Sequence, residues 1–226
     1  MTAFTTEKID VEPWFDMELF MGVSQETRLG GDVMDRFMTL WKNWLPHLTV
    51  KGIDTGKIKY LLVALDESVE QDVDKAWEGS PSNAFLYNAL AQTMCMAAVH
   101  AVIPEVQDAG CAPAPKPTAT LREALEAEGI PYSNDKDPIL SRRYAVVTHY
   151  PFKGGCEICV LQSNCPKGQG QMEATSVVLP GYEHPQQMGC GCYEIGGEER
   201  EPFPSPLSLS LQRLSTGGEA AWRAFV

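Results

Sequence analysis

The segment between Glu78 and Glu105 contains no Asp, Glu, Lys or Arg, and this uncharged run constrains the fold more than any other feature of the chain. Ser80 followed by Pro81 is a typical helix start, because a serine side chain caps free amides and proline needs no amide partner in a first turn. Short side chains then recur at alternating steps of four and three residues, at Ala84, Asn88, Ala91, Cys95, Ala98 and Val102. This spacing allows close helix packing, so it predicts a central buried helix.

A helix of this length could also span a membrane, and its polar content decides between the two interpretations. Asn88, Gln92, Thr93 and His100 lie inside the run, acidic residues flank both ends, and no Lys or Arg is present to set an orientation. We therefore expect a core helix, with Cys95 and His100 as ordinary buried residues, and no membrane partner. The N-terminal region has no apolar run of signal length, which favours a cytoplasmic location.

The remaining segments predict a helix-rich α+β fold with a small sheet and a cysteine-rich metal-binding loop region. An apolar period of three and four residues predicts an amphipathic helix that begins with Asp32 as its N-cap and ends at Pro46. Acidic residues between positions 66 and 74 predict a solvated helix face over residues 68–77. Short apolar runs predict three strands, at residues 59–66, 144–150 and 174–179.

A proline-rich segment supplies the best internal boundary. GCAPAPKPT, residues 110–118, has alternating prolines, which is typical of an extended linker. We therefore predict a helix-rich domain with one buried strand, residues 1–112, and a cysteine-rich metal-binding region, residues 113–226. A single fused domain is the alternative, and the uncharged helix would also suit the seam of a homodimer.

The charge of the chain argues against several partners and functions. Thirty acidic and eighteen basic residues give a formal net charge of -12, which repels phosphates and anionic membranes, so no nucleic-acid partner is expected. The usual signatures of nucleotide hydrolysis, dinucleotide binding, serine hydrolysis and zinc proteolysis are absent from the sequence, which leaves the question of an enzymatic activity open. A locally basic stretch would compensate a negatively charged metal centre nearby. It contains Lys136, Arg142, Arg143, Lys153 and Lys167.

Five of the seven cysteines fall within one short part of the chain, where they carry its most specific chemistry. They are Cys156, Cys159, Cys165, Cys190 and Cys192. The first three form C-x2-C-x5-C after two glycines, and the last two form GCGC. Thiolates two residues apart can hold one metal or cluster, because a tight turn points both sulfurs the same way. The odd cysteine count favours a reducing compartment in which these thiols stay free for a metal.

The C-x2-C-x5-C spacing from Cys156 to Cys165 resembles the iron-sulfur loop of the DNA glycosylases of the endonuclease III and MutY type. A similar loop closes the cluster of some iron-sulfur nucleases of recombination and CRISPR adaptation. The glycosylase motif is C-x6-C-x2-C-x5-C, and here His149 stands in place of its first cysteine. The resemblance implies ligation of a [4Fe-4S] cluster by Cys156, Cys159 and Cys165, without implying a catalytic activity. The fourth ligand would be Cys190 or Cys192, with His149 a weaker choice.

We therefore expect an iron-sulfur protein whose [4Fe-4S] cluster transfers electrons to a redox or protein partner, or supports the structure beside a ligand site. The alternative is a zinc ion that stabilises a non-enzymatic interaction module. Its four ligands would be Cys156, Cys159, Cys190 and Cys192. A redox dithiol at Cys156 and Cys159, or thiols that bind no metal, are further alternatives.

Overall fold

The computed structural model of the protein describes residues 4–134, 138–165 and 167–169, all within one compact unit, Met1–Gln186. Its strands are β1 (Thr5–Lys8), β2 (Leu48–Asp54), β3 (Lys59–Leu65) and β4 (Ala145–His149). Its helices are α1 (Met17–Ser24), α2 (Gly31–Trp44), α3 (Glu67–Gly79), α4 (Pro81–Val102), α5 (Glu105–Ala109) and α6 (Ala119–Ala127). Short 3-10 turns lie at Leu45–His47, Cys156–Ile158 and Gln162–Asn164. The predicted α+β class is confirmed.

The strands form one antiparallel sheet in the order β1-β2-β3-β4, and β3 is buried on both of its faces. Leu61, Val63 and Leu65 pack into the core that contains α4, whereas Leu62 and Tyr60 pack on the opposite face against α6. Successive side chains of a strand point to opposite faces, so a strand covered on both sides needs an unbroken apolar run. The predicted strands at residues 59–66 and 144–150 are confirmed as β3 and β4.

Helix α4 is the central buried helix that the uncharged run predicts. Its N-cap is Ser80, whose side chain accepts a hydrogen bond from the Asn83 amide, and Leu90, Met94 and Ala98 are fully buried. Among the described residues it is the one helix long and apolar enough to cross a membrane, but 61% of its apolar window is buried inside the protein, as in many core helices. The length and composition of α4 therefore carry little weight for a membrane span.

Two residues of α4 were expected to be ordinary buried residues, and one of them is. Cys95 is fully buried, and its thiol donates to the Tyr144 carbonyl oxygen over 3.6 Å. His100 is only half-buried, and its Nε2 has no hydrogen-bond partner among the described residues. Burial lowers the pKa of His100, although the charge of Asp16 opposes this shift. The expectation is therefore confirmed for Cys95 and wrong for His100.

Helix α2 follows the predicted apolar period, but its first residues differ from the prediction. Phe37, Trp41 and Trp44 are buried as the period requires. The N-cap is Gly30 and not Asp32, which lies within the first turn. A carboxylate in the first turn still interacts favourably with the helix dipole, so the prediction of Asp32 as the cap mistook one favourable N-terminal position for another.

The acidic face of α3 is less solvated than predicted. The Arg143 guanidinium donates to Asp74 over 2.7 Å, and the Arg143 backbone amide donates to the Glu70 carboxylate over 2.9 Å. The Trp44 indole donates to Asp72 over 2.9 Å. These acids therefore hold neighbouring parts of the fold in place.

The proline-rich segment at residues 110–118 is irregular, as predicted, but residues 112–115 are buried. The buried Thr148 hydroxyl on β4 donates to the Pro113 carbonyl oxygen over 3.0 Å, which ties this segment to the sheet. Strand β4 follows the segment and pairs with β3. The boundary at residue 112 stays a prediction, and the predicted strand at residues 174–179 lies outside the described residues.

Candidate metal centre

The C-x2-C-x5-C motif forms a short loop of two successive 3-10 turns. The Cys159 amide donates to the Cys156 carbonyl over 3.1 Å, which closes the first turn. Cys165 directly follows the second turn, Gln162–Asn164, and its carbonyl accepts from the Gln169 amide over 3.0 Å. Each turn is therefore followed directly by a cysteine. The sulfurs of Cys156, Cys159 and Cys165 belong to half-buried residues on one compact piece of backbone.

A glycine is required where the chain enters this loop. Gly154 has a φ of 143°, which residues with a side chain rarely adopt, and a Cβ there would collide with the Glu157 carboxylate. That carboxylate accepts a hydrogen bond from the Gly155 amide over 2.8 Å. The sequence prediction that glycines permit the turn is confirmed at Gly154.

The loop is docked on the segment that follows α5. The Val160 amide donates to the Ala114 carbonyl over 3.0 Å. The Lys167 ammonium donates to the Ala109 carbonyl, also over 3.0 Å. These two bonds flank Cys111, so the cysteine loop lies against the stretch of chain that carries this further cysteine.

Cys111 thereby meets two of the predicted ligands. Its thiol lies close enough to Cys156, Cys159 and Lys167 to interact electrostatically with all three. Burial raises the pKa of Cys111 to about 12, Lys167 lowers it, and the neighbouring thiols of Cys156 and Cys159 raise it further. A cation bound among these sulfurs would lower that pKa, because it favours the thiolate over the thiol.

In the described residues, no three His, Cys, Asp or Glu side chains are arranged to hold a single metal ion. A tetrahedral zinc site would require its thiolates to converge on one point. The four thiolates of a [4Fe-4S] cluster bind four different irons, so they surround a larger body. Cys190 and Cys192 lie outside the described residues, so the structure leaves the predicted role of these two cysteines untested.

His149 and two of the basic residues lie apart from the loop cysteines. The His149 ring packs on Tyr60, with the ring centroids 5.4 Å apart. Neighbouring residues of a strand point to opposite faces of the sheet, so His149 lies on the face opposite to that of Thr148, which binds Pro113. Burial lowers the pKa of His149, with a smaller contribution from the charge of Lys153. Arg143 is paired with α3, and the Arg142 guanidinium lies 3.9 Å from Glu70. Lys167 acts electrostatically on Cys111, and Lys136 lies outside the described residues.

Sequence reasoning overlooked Cys111, because it stands alone and far from the other cysteines in the sequence. No local signal in the sequence identifies it, because Gly110 before it marks only the end of α5, where it has a positive φ of 68°. No family model matches this chain, and comparisons with curated proteins and with solved structures gave no match either, so the function of this centre is argued from its own residues.

Proposed function

We propose that this protein binds a [4Fe-4S] cluster through Cys156, Cys159, Cys165 and a fourth thiolate, and that the cluster transfers electrons or stabilises the fold beside a ligand site. The observation that carries the proposal is the pair of consecutive 3-10 turns, which brings three half-buried thiols of a C-x2-C-x5-C motif onto one docked loop. Cluster ligation requires several thiolates held close together with restricted access to solvent.

The surroundings of the loop support a negatively charged cluster. A [4Fe-4S] centre with four thiolates is anionic, and nearby cations and hydrogen-bond donors stabilise its charge and adjust its reduction potential. The Lys167 ammonium is held at the Ala109 carbonyl and acts electrostatically on Cys111 at the edge of the loop. The chemistry that the cluster would supply is the gain and loss of one electron, with an unidentified redox or protein partner.

Cys165 distinguishes this proposal from zinc binding. A zinc site made from Cys156, Cys159, Cys190 and Cys192 would leave Cys165 unused. In the structure, Cys165 closes the second turn of the same loop, and both its amide and its carbonyl are engaged there. This position favours a role for its sulfur together with those of the other two loop cysteines.

The proposal is tested by anaerobic purification followed by iron, sulfide and zinc analysis and a visible absorption spectrum. We expect about four irons and four sulfides per chain with a brown colour. The Cys165→Ser variant should lose most of its iron and sulfide. Cys95→Ala, which removes a core thiol away from the loop, should retain both. One zinc per chain without colour would overturn the proposal, as would a Cys165→Ser variant that keeps the full iron and sulfide content.

A further inference from the structure

The segment that bears Cys111 is held in a fixed position. The Gly110 amide donates to the Val106 carbonyl over 2.9 Å, and Ala112 on the other side of Cys111 is 1% exposed. The Pro113 carbonyl accepts from Thr148 on β4. Because its neighbours on both sides are anchored to the core, the backbone of Cys111 has little freedom to move away from the cysteine loop.

The loop meets this segment on both sides of Cys111. Lys167 reaches Ala109, two residues before Cys111, and Val160 reaches Ala114, three residues after it. Between these two anchors, the Cys111 thiol lies near those of Cys156 and Cys159 and interacts electrostatically with both. The contact between Cys111 and the loop is therefore built into the way the two segments pack.

We propose that Cys111 supplies the fourth thiolate of the cluster, beside the three cysteines of the C-x2-C-x5-C loop. This inference rests on the proposed function. It makes the ligand set C-x44-C-x2-C-x5-C, with all four sulfurs in the docked part of the fold. Of the five cysteines in the described residues, Cys95 is the remaining one, and its thiol is engaged with Tyr144 inside the core. Cys190 and Cys192 are then not needed as ligands.

The experiment compares four chains that are purified anaerobically and reconstituted with ferrous iron and sulfide. They are the wild type, Cys111→Ser, Cys165→Ser and the double variant Cys190→Ser/Cys192→Ser. We expect Cys111→Ser to lose most of its bound iron and sulfide, at least to the extent that Cys165→Ser does, and the double variant to bind as the wild type does. Serine nearly preserves the size of cysteine, and far-ultraviolet circular dichroism of the metal-free chains checks that each one folds.

Two contrary results have different meanings. A Cys111→Ser variant with wild-type iron content, beside a double variant that has lost its iron, would overturn the role of Cys111 and leave the proposed function intact. A wild-type chain that takes up no iron and sulfide would overturn the proposed function and this inference with it.

Alkylation of the wild-type chain provides a test that needs no variant. Iodoacetamide labelling followed by peptide mass spectrometry should show protection of Cys111, Cys156, Cys159 and Cys165 in the reconstituted protein. Removal of the cluster with a chelator and an oxidant, followed by reduction of the released cysteines to thiols, should restore labelling at these four positions. Protection of Cys190 or Cys192 in place of Cys111 would contradict the assignment.

Discussion

The hydrogen bond from Thr148 to Pro113 gives a prediction whose magnitude follows from the structure. Thr148 is 1% exposed, and its hydroxyl donates to the Pro113 carbonyl over 3.0 Å. Thr148→Val keeps the shape of the side chain but leaves the buried carbonyl without this donor. An unpaired buried polar group costs about 1–3 kcal/mol, so we expect the free energy of unfolding to fall by about that amount.

Thr93→Val is the matched control for this substitution. Thr93 is also fully buried, and its hydroxyl donates to the Ala89 carbonyl over 2.8 Å within α4. A helical carbonyl at that position already accepts a backbone amide, so loss of the hydroxyl should cost less than about 0.5 kcal/mol. Urea unfolding followed by tryptophan fluorescence measures both values.

The Thr148 variant also bears on the metal centre, because Pro113 lies two residues from Cys111. We expect Thr148→Val to retain less iron after reconstitution than Thr93→Val does, since it loosens the segment on which the cysteine loop docks. Equal free energies of unfolding for the two variants would refute the reasoning about the buried carbonyl.

Two further predictions concern the core and one turn. Burial raises the pKa of Cys95 from 9.0 to about 12, so its contribution to stability is fully present below pH 9 and is lost as the pH rises toward 12. Between pH 9 and 12, the free energy of unfolding of the wild type should fall by about 1.4 kcal/mol more per pH unit than that of Cys95→Ala. Urea unfolding at several pH values measures both, and parallel pH dependences would contradict this prediction. Gly129 has a φ of 74° and open space around it, so Gly129→Ala should cost about 1 kcal/mol through backbone strain alone. Gly79 lies in α3 and has equally open space around it, so Gly79→Ala should raise the free energy of unfolding by about 0.4–1 kcal/mol. If the thermal unfolding midpoints of the two variants move in the same direction, the strain argument is wrong.

The parts of the fold that the sequence predicts are those set by local pattern. The uncharged run after Ser80 and the apolar run before Asp66 each specify burial within a single element, and both elements occupy the core. Strand β1 was missed because all four of its residues are exposed at the edge of the sheet, which leaves no alternation to detect. Strand β2 was missed because its buried residues, Val50 and Ile53, are separated by polar or half-buried positions.

The candidate site was predictable only in its local part. The spacing of Cys156, Cys159 and Cys165 identifies one loop, because Cys156 begins the first of two successive turns and the other two cysteines each follow a turn directly. The approach of Cys111 depends on tertiary contacts that connect the end of α5 to the loop, and nothing near Cys111 in the sequence encodes them. The positions of Arg142 and Arg143 were misjudged for the same reason, since their acidic partners lie on α3, which is distant in sequence.

Native mass spectrometry of the wild-type chain, purified and sprayed without exposure to air, tests the central claim most directly. We predict a mass above that of the polypeptide by four irons and four sulfides, and loss of this increment when the chain is unfolded in acid. A chain that carries one zinc, or no added mass after reconstitution with iron and sulfide, would contradict the account.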